Sequence, residues 1–307
     1  MNTLPAPHTH SVSRGSVRLH ARSWPQAKGP WLVFVHGYPD NSHVWDGVMA
    51  ELAADYKLLA YDVRGAGASS RPKAVSDYAL AELQADFETV LDAVVGSEPV
   101  HLIGHDWGSV QSWEFVTDPK LQSRILSFTT MSGPCLDHIG HWVRNRWTNG
   151  RSADRSAVIN QLLHSWYVGA FQVPGIAPGI WKLGLDRLWP KLLARLEDMP
   201  QPPAADPHQK ADGIHGIKLY RANVPGCLRA PRQRHTQVPV QLLIATEDPF
   251  VSPAMVSDTH LWTRSLQTHE LPGGHWQMLQ RPQPVANRIR RFVTSLSVDS
   301  RRDAASP

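Results

Sequence analysis

The sequence predicts an α/β protein in which helices cover both faces of a mostly parallel central sheet. Between residues 12 and 131, short runs rich in β-branched and aromatic residues alternate with amphipathic stretches. This alternation is typical of parallel strands joined by helices. A second block of the same kind lies between residues 238 and 296. We expect both blocks to contribute strands to one sheet.

Each predicted strand is a short apolar run, and each predicted helix repeats apolar residues at intervals of three or four. The strand runs are Trp31–Val35, Tyr56–Val63, Val100–Gly104, Val238–Thr246 and Leu266–Pro272. The helical positions of the first block are Leu80, Leu83, Phe87, Val90, Leu91 and Val94. In the second block, a helix is expected after Ser252, and a last helix carries Val285, Ile289, Phe292 and Leu296.

The segment between the two blocks has a different composition. It is rich in tryptophan, interrupted by prolines and helical at 159–167 and 185–196. We therefore predict a helical cap, residues 134–231, inserted after strand six of a core formed by residues 1–133 and 232–297. Within the cap, 199–207 is expected to be an irregular loop. The polar tail 298–307 is expected to be disordered.

Composition narrows the class of protein. The 307 residues are 42% apolar, with 31 basic and 27 acidic residues, as in a globular protein with a sizeable core. Two cysteines, Cys135 and Cys227, are too few for a disulfide framework and are expected to be free thiols. The N-terminus lacks a signal pattern, and the longest uncharged stretch, 156–181, holds polar residues unsuited to a membrane span. We expect a cytoplasmic protein with no nucleic acid and no membrane as partner.

The sharpest catalytic signal is a carboxylate between glycines at the end of a strand. Asp106 is the central residue of GHDWG, which lies between a predicted strand and a predicted helix. Small residues on both sides permit the strained turn called a nucleophile elbow, which projects one side chain above the sheet. A helix N-terminus favours the carboxylate anion, so Asp106 can attack carbon without a base to activate it. A serine esterase is excluded, and an ordinary helix N-cap is the plain alternative.

The loop after the first predicted strand carries His36-Gly37-Tyr38-Pro39. Alone, this pattern indicates only a turn. One strand upstream of an elbow, it is where such an architecture supplies a donor of an oxyanion hole. We expect the backbone N–H groups of Tyr38 and Trp107 to form that hole.

Two later residues complete a catalytic triad in the order nucleophile, acid, histidine. Asp248 follows the predicted strand that ends near Thr246, and His275 follows the strand that ends near Pro272. Glu247 is the competing acid, but the Asp-Pro pair sets Asp248 at the turn into the next helix. A double glycine before His275 and a long amphipathic helix after it distinguish this histidine from the other histidines.

These four elements, in this order, resemble the α/β-hydrolase superfamily. The resemblance is closest to its epoxide hydrolase and haloalkane dehalogenase branch, and within it to soluble epoxide hydrolases, where the elbow residue is an aspartate followed by tryptophan. It extends from about Val12 to Leu296. Asp62–Ser69 is similar to the DxRGxGxS loop of that branch, and Phe171–Gly175 is similar to its cap motif FQxPG.

The resemblance implies two tyrosines that act from the cap. Tyr167 lies four residues before Phe171, where epoxide hydrolases carry a tyrosine, and Tyr220 begins a tyrosine-arginine pair similar to the second such motif. Phenols stay protonated at neutral pH and can polarise an epoxide oxygen. The implied reaction is hydrolysis of a small hydrophobic epoxide to a vicinal diol. It would proceed through an ester on Asp106 that water, activated by His275, then hydrolyses.

Two other functions stay open. A haloalkane dehalogenase would use the same triad, with Trp107 or cap tryptophans as halide donors, although Tyr38 stands where many such enzymes have asparagine. A receptor that binds a small molecule without catalysis is the alternative from another class, and a covalent intermediate would distinguish it from either enzyme.

The remaining expectations concern ligands. Neither a metal nor an organic cofactor is implied, because no Cys/His ligand spacing is present and Gly65-Ala66-Gly67 does not continue into a phosphate-binding GxGxxG. A monomer and a homodimer both stay open. The residues expected to bind substrate are His36, Pro39, Trp107, Trp166, Phe171 and Trp276.

Overall fold

A computed structural model of the chain describes residues 3–304, with side chains as far as residue 297. Within these residues, eight strands form one sheet in the order β1-β2-β4-β3-β5-β6-β7-β8. The strands are β1 His8–Arg14, β2 Val17–Trp24, β3 Trp31–Val35, β4 Lys57–Tyr61, β5 Val100–His105, β6 Ile125–Met131, β7 Val240–Ala245 and β8 Leu266–Leu271. The predicted fold class is confirmed.

The sheet is parallel from β4 to β8 and antiparallel at one edge, where β2 pairs with both β1 and β4. Every residue of β3 and β5 is buried, because helices cover both faces of these central strands. The carboxyl ends of parallel strands meet at one edge of a sheet. The loops that follow β3, β5, β7 and β8 therefore gather at that edge.

Helices cover the two faces of the sheet, as predicted. The core helices are α1 Asp46–Leu52, α2 Leu80–Val94, α3 Trp107–Thr117, α10 Gln277–Gln280 and α11 Pro282–Ala304. Side chains alternate along a strand, so Val33 and Val35 pack in one apolar core with α2 and α3. Leu32 and Phe34 pack on the opposite face with α1 and α11.

The chain between β6 and β7 forms a set of helices, here called the cap. These are α4 Leu136–Thr148, α5 Ser152–His164, α6 Trp166–Gln172, α7 Ile176–Ile180, α8 Asp186–Leu196 and α9 Gln209–Arg229. The cap is tied to the core by Asn223 of α9, whose amide donates to the carbonyl of Tyr78 (2.9 Å) and whose oxygen accepts the N–H of Leu80 (2.9 Å). Among residues 3–304, no helix is long and apolar enough to cross a bilayer.

Several predicted element bounds are wrong. The run 56–63 is a strand only at β4, because Asp62 leaves the sheet. Its carboxylate accepts the N–H of Ser42, which follows β3, and that of Ala68 in the next loop, at 2.9 Å each. The helical stretch 159–167 is broken at Ser165 between α5 and α6. The helix expected after Ser252 is a 3₁₀ helix, Pro253–Leu261.

The chain ends differently from the prediction. Residues 298–307 were expected to be disordered, but α11 continues to Ala304, so the expectation is wrong for 298–304. Residues 305–307 lie outside the described residues. The two cysteines are free, as expected, with Cys135 buried and Cys227 half-buried.

Candidate active site

Asp106 occupies a strained turn between β5 and α3. Its φ of 50° and ψ of −124° lie where residues other than glycine rarely go. The turn also needs small neighbours: a Cβ on Gly108 would lie 2.0 Å from the carbonyl oxygen of Val35, and one on Gly104 would lie 2.7 Å from the Cα of Ser109. The glycines of the sequence motif are thus explained by close backbone approach, and the turn aims the carboxylate away from the sheet.

The loop after β3 holds one oxygen of that carboxylate. The backbone N–H of Tyr38 donates to Oδ1 of Asp106 at 2.6 Å. Gly37 permits this approach, because a Cβ there would lie 2.5 Å from the Cβ of Asp106. Trp107 is the first residue of α3, so its N–H has no acceptor inside the helix.

His275 lies between two carboxylates. Its Nδ1 donates to Oδ2 of Asp248 at 2.9 Å, and its Nε2 is 3.7 Å from Oδ2 of Asp106. Burial lowers the pKa of His275, but the charges of Asp248 and Asp106 outweigh burial and raise it to about 10. Burial conversely opposes the Asp248 anion, yet His275 and the N–H of Phe250 keep the pKa of Asp248 low. The three residues predicted from separate strands are therefore in contact, and Glu247 is not the partner of the histidine.

Two tyrosines from the cap face the same carboxylate. Tyr167 of α6 and Tyr220 of α9 pack edge to face, with ring centroids 6.1 Å apart. Burial, and then the charge of Asp106, raise the pKa of both phenols well above the ordinary value. The ring of Trp107 packs edge to face against the ring of Tyr220, with centroids 4.8 Å apart. Both hydroxyls therefore stay protonated and can donate.

Asp106 separates two apolar cavities, which also share Tyr167, Tyr220 and Phe250. The first cavity, of about 350 Å³, is lined by the predicted residues Tyr38, Pro39, Phe171 and Trp276. The second, of about 360 Å³, is lined by the predicted Trp107 and by Trp166. The side chain of Trp166 is 72% exposed, so this part of the second cavity faces solvent.

His36 is the exception among the predicted substrate-binding residues, because it lines neither of these cavities. Its Nε2 accepts the N–H of Val63 at 2.9 Å, and its Nδ1 donates to the carbonyl of Gly37 at 2.9 Å. Burial lowers the pKa of its ring, so a neutral imidazole uses both nitrogens to join the loops after β3 and β4. In this structure His36 joins two loops, and the expectation that it binds substrate stays a prediction.

No pattern in the sequence pointed to Glu197, which follows α8 in the cap. Its carboxylate accepts the N–H of His275 at 2.9 Å and that of Trp276 at 3.0 Å, and it is only 2% exposed. Burial raises the pKa of Glu197, against these two hydrogen bonds. The close approach of Glu197 accounts for one of the two glycines before His275, because a Cβ on Gly274 would lie 2.6 Å from Oε1 of Glu197. A cap carboxylate thus holds the loop that carries the histidine.

Asp40 and the ring of Tyr38 were also missed, although both belong to the loop that the sequence singled out. Asp40 accepts the indole N–H of Trp276 at 2.8 Å, and burial raises the pKa of Asp40 to about 7. The hydroxyl of Tyr38 donates to the carbonyl of Gly213 (3.1 Å) and accepts the indole N–H of Trp181 (2.8 Å). The loop after β3 therefore fixes the His275 loop on one side and the cap on the other.

Helices cover both faces of the sheet, Asp106 lies at the turn after β5, and the Asp248–His275 pair lies on the loops after β7 and β8. This is the architecture of an α/β hydrolase. The sequence profile of the alpha/beta hydrolase fold matches residues 30–282, and the chain belongs to that family.

Curated relatives include proteins named for different activities. The "Probable oxidoreductase EphD" of Mycobacterium tuberculosis is 33% identical over 94% of this chain, but the match covers 50% of that relative. The chain thus spans about half the length of the mycobacterial relatives. Epoxide hydrolase 3 of Mus musculus is 27% identical over 93% of this chain and 76% of its own length.

Solved structures share the fold. An epoxide hydrolase from Vigna radiata superposes with a TM-score of 0.75 at 18% identity, over 94% of this chain and 98% of that one. An epoxide hydrolase from Bacillus megaterium gives a TM-score of 0.72 at 23% identity, over 94% and 100%. At these identities the likeness concerns the fold alone.

Proposed function

We propose that the protein hydrolyses an epoxide to a vicinal diol. The observation that carries this proposal is the pair of protonated phenols, Tyr167 and Tyr220, in the two cavities that meet at the Asp106 carboxylate. Opening a strained C–O–C ring needs a nucleophile at carbon and a proton donor at oxygen, and the pair supplies the donor. The names of the epoxide hydrolase relatives support the same substrate class. The apolar cavities favour a hydrophobic epoxide.

In the first half-reaction, a carboxylate oxygen of Asp106 attacks a ring carbon and the C–O bond to the epoxide oxygen breaks. Tyr167 and Tyr220 bind that oxygen, and one of them supplies the proton that turns the leaving alkoxide into a hydroxyl group. The product is a hydroxyalkyl ester of Asp106. The anion needs no deprotonation, so this step does not require His275 as a base.

In the second half-reaction, Nε2 of His275 takes a proton from water, and the resulting hydroxide attacks the ester carbonyl. The N–H groups of Tyr38 and Trp107 would hold the oxyanion. Esterification removes the charge of Asp106, which contributes to the raised pKa of His275. The pKa of His275 therefore falls when the ester forms, so His275 passes its proton through solvent to the deprotonated tyrosine and becomes a neutral base. Breakdown releases the diol and restores Asp106, and the proton taken from water stays on His275, which is again the cation of the free protein.

Dehalogenation of a haloalkane is the less well supported use of this triad. Halide release needs unengaged N–H donors grouped near the leaving atom, but the indole of Trp181 already donates to the hydroxyl of Tyr38. The indole N–H groups of Trp142 and Trp189 are buried without partners among the described residues. They line separate cavities, so they do not form a pair around one halide.

The test is turnover of matched panels of epoxides and haloalkanes by the wild-type protein. We expect diol from one or more hydrophobic epoxides and no halide from the haloalkanes, with Asp106→Ala as the inactive control. Halide release that depends on Asp106 would overturn the proposal in favour of a dehalogenase. Diol formation that persists in Asp106→Ala would overturn the assignment of the nucleophile.

A further inference from the structure

An exposed apolar face lies on α7, α8 and the turn between them. Leu183 is 90% exposed and Leu188 is 61% exposed. Leucine and isoleucine scattered singly on a surface are ordinary, but a cluster of them marks an interaction site. The members of this lid face are Ile176, Ile180, Leu183, Leu188, Leu192 and Leu196.

On α8 this face is bordered by a row of basic residues, here called the basic row. Leucines four residues apart form one exposed row, and basic residues four residues apart form the row beside it, about 100° round the helix. The apolar row is Leu188, Leu192 and Leu196, and the basic row is Arg187, Lys191 and Arg195. Leu193 and Ala194 are buried and face the protein. The outer side of α8 is therefore amphipathic in its own right.

The basic groups here are not used inside the protein. In the part of the chain whose side chains are described, no ion pair engages Lys182, Arg187, Lys191 or Arg195. Arginines elsewhere, such as Arg64 and Arg146, pair with carboxylates. The four cations are exposed and remain available to an anionic partner.

The first cavity opens through the same surface. Ile180, Leu192 and Leu196 are members of the lid face and also line the first cavity, beside Trp189. Whatever covers this face therefore lies against the entrance that leads to Asp106.

We propose that the lid face docks on the surface of an anionic lipid bilayer. Its leucines would enter the interfacial region while the basic row lies at the lipid phosphates, as in other amphipathic helices that bind membranes in the plane of the interface. A second copy of the chain fits less well, because a two-fold contact through this face would bring the basic rows of both copies together. This proposal departs from the expectation that no membrane is a partner. It does not depend on the proposed reaction.

Docking places the entrance of the first cavity at the lipid. Apolar molecules partition into bilayers because water is a poor solvent for them. A ligand of the apolar cavity would thus reach the site from the membrane.

Co-sedimentation with vesicles tests the proposal. The vesicles are phosphatidylcholine alone and an equal mixture of phosphatidylcholine and phosphatidylglycerol. We expect the wild-type protein to bind the mixture, and binding to weaken as salt is raised. Arg187→Gln/Lys191→Gln should weaken it about 25-fold, at about fivefold for each charge, and Leu183→Ser/Leu188→Ser should weaken it at least as much.

Matched controls separate the lid face from general charge and hydrophobicity. Arg18→Gln/Lys28→Gln removes two exposed charges from the core, and Leu261→Ser changes an exposed leucine there. Both controls should bind the mixed vesicles like the wild type. All these positions are exposed, so unfolding midpoints should be unchanged.

Three results would overturn the proposal. The wild-type protein could fail to sediment with the anionic vesicles, or the lid-face variants could bind as well as the controls. Alternatively, sedimentation equilibrium without lipid could reveal a dimer that Leu183→Ser/Leu188→Ser dissolves, in which case a second copy covers the face. None of these measurements depends on catalysis, so their outcome is independent of the epoxide proposal.

Discussion

Asp106 sets the protonation of the groups around it. Its charge helps to raise the pKa of His275 and further raises the pKa of Tyr167 and Tyr220, on top of burial. In the free protein, the phenols are thereby kept as donors and the imidazole as a cation. In the reaction proposed above, the same carboxylate would control both the acid of the first step and the base of the second.

Removing either phenol should lower turnover selectively. Tyr167→Phe and Tyr220→Phe should each reduce kcat for diol formation by about 10²-fold, since each removes one of two proton donors, and the double variant should have no measurable activity. The matched control is Tyr38→Phe, which removes a buried hydroxyl in the same cavity that is already bonded to Gly213 and Trp181. Equal losses in all three variants would contradict specific roles for Tyr167 and Tyr220.

The protonation of His275 should also appear in the stability of the free protein. The pKa of His275 is about 10 in the folded state and 6.5 in the reference state. Its contribution to stability is therefore complete below about pH 6.5 and is lost as the pH rises through 10. In urea unfolding, the free energy of unfolding of the wild type should fall relative to that of His275→Gln as the pH rises across this window.

An exposed histidine serves as the control for that measurement. His260→Gln removes a histidine at the surface, and its stability should parallel the wild type over the same pH range. A wild-type curve that gains stability relative to His275→Gln towards pH 10 would contradict the raised pKa.

At the scale of elements, the site is the meeting point of four strand ends and the cap. Sequence could predict Asp106, Asp248 and His275 because each follows a strand, and the carboxyl ends of parallel strands converge. It could not predict Glu197, whose contact with the His275 loop depends on how α8 packs over the core. The HGxP motif likewise does not reveal that both ring nitrogens of His36 are engaged by the backbone.

Glu197 should act as a positioning residue for His275. Glu197→Gln keeps the shape but turns one acceptor into a donor opposite a backbone N–H, so we expect a loss of about 1–3 kcal/mol in the free energy of unfolding. Displacement of His275 should slow ester hydrolysis more than ester formation. The variant should therefore accumulate the Asp106 ester during turnover, which mass spectrometry of the quenched reaction would detect.

The adjacent Asp198 provides a matched control. Asp198→Asn makes the same chemical change at an exposed position and should neither lower stability nor accumulate ester. If Glu197→Gln loses stability but shows no ester, Glu197 supports the fold without positioning the histidine.

At the scale of the whole molecule, the sequence predicted which site residues come from the core and which from the cap better than it predicted the bounds of the elements. The core supplies the Asp106–His275–Asp248 arrangement, and the cap supplies Tyr167 and Tyr220. Short apolar runs predicted β3, β4, β5, β7 and β8. They did not single out β1, β2 or β6, in which polar residues interrupt the apolar ones. The surface of the cap lay beyond prediction, since exposure of its leucines depends on tertiary packing.

If Asp106 opens an epoxide as proposed, it becomes a covalent ester. The intact mass of His275→Gln, after incubation with epoxides and, separately, with haloalkanes, measures that ester. We expect a gain equal to one whole epoxide, located on Asp106 and absent in Asp106→Ala/His275→Gln. A gain equal to an alkyl group, with the halogen lost, from the haloalkanes alone would contradict it.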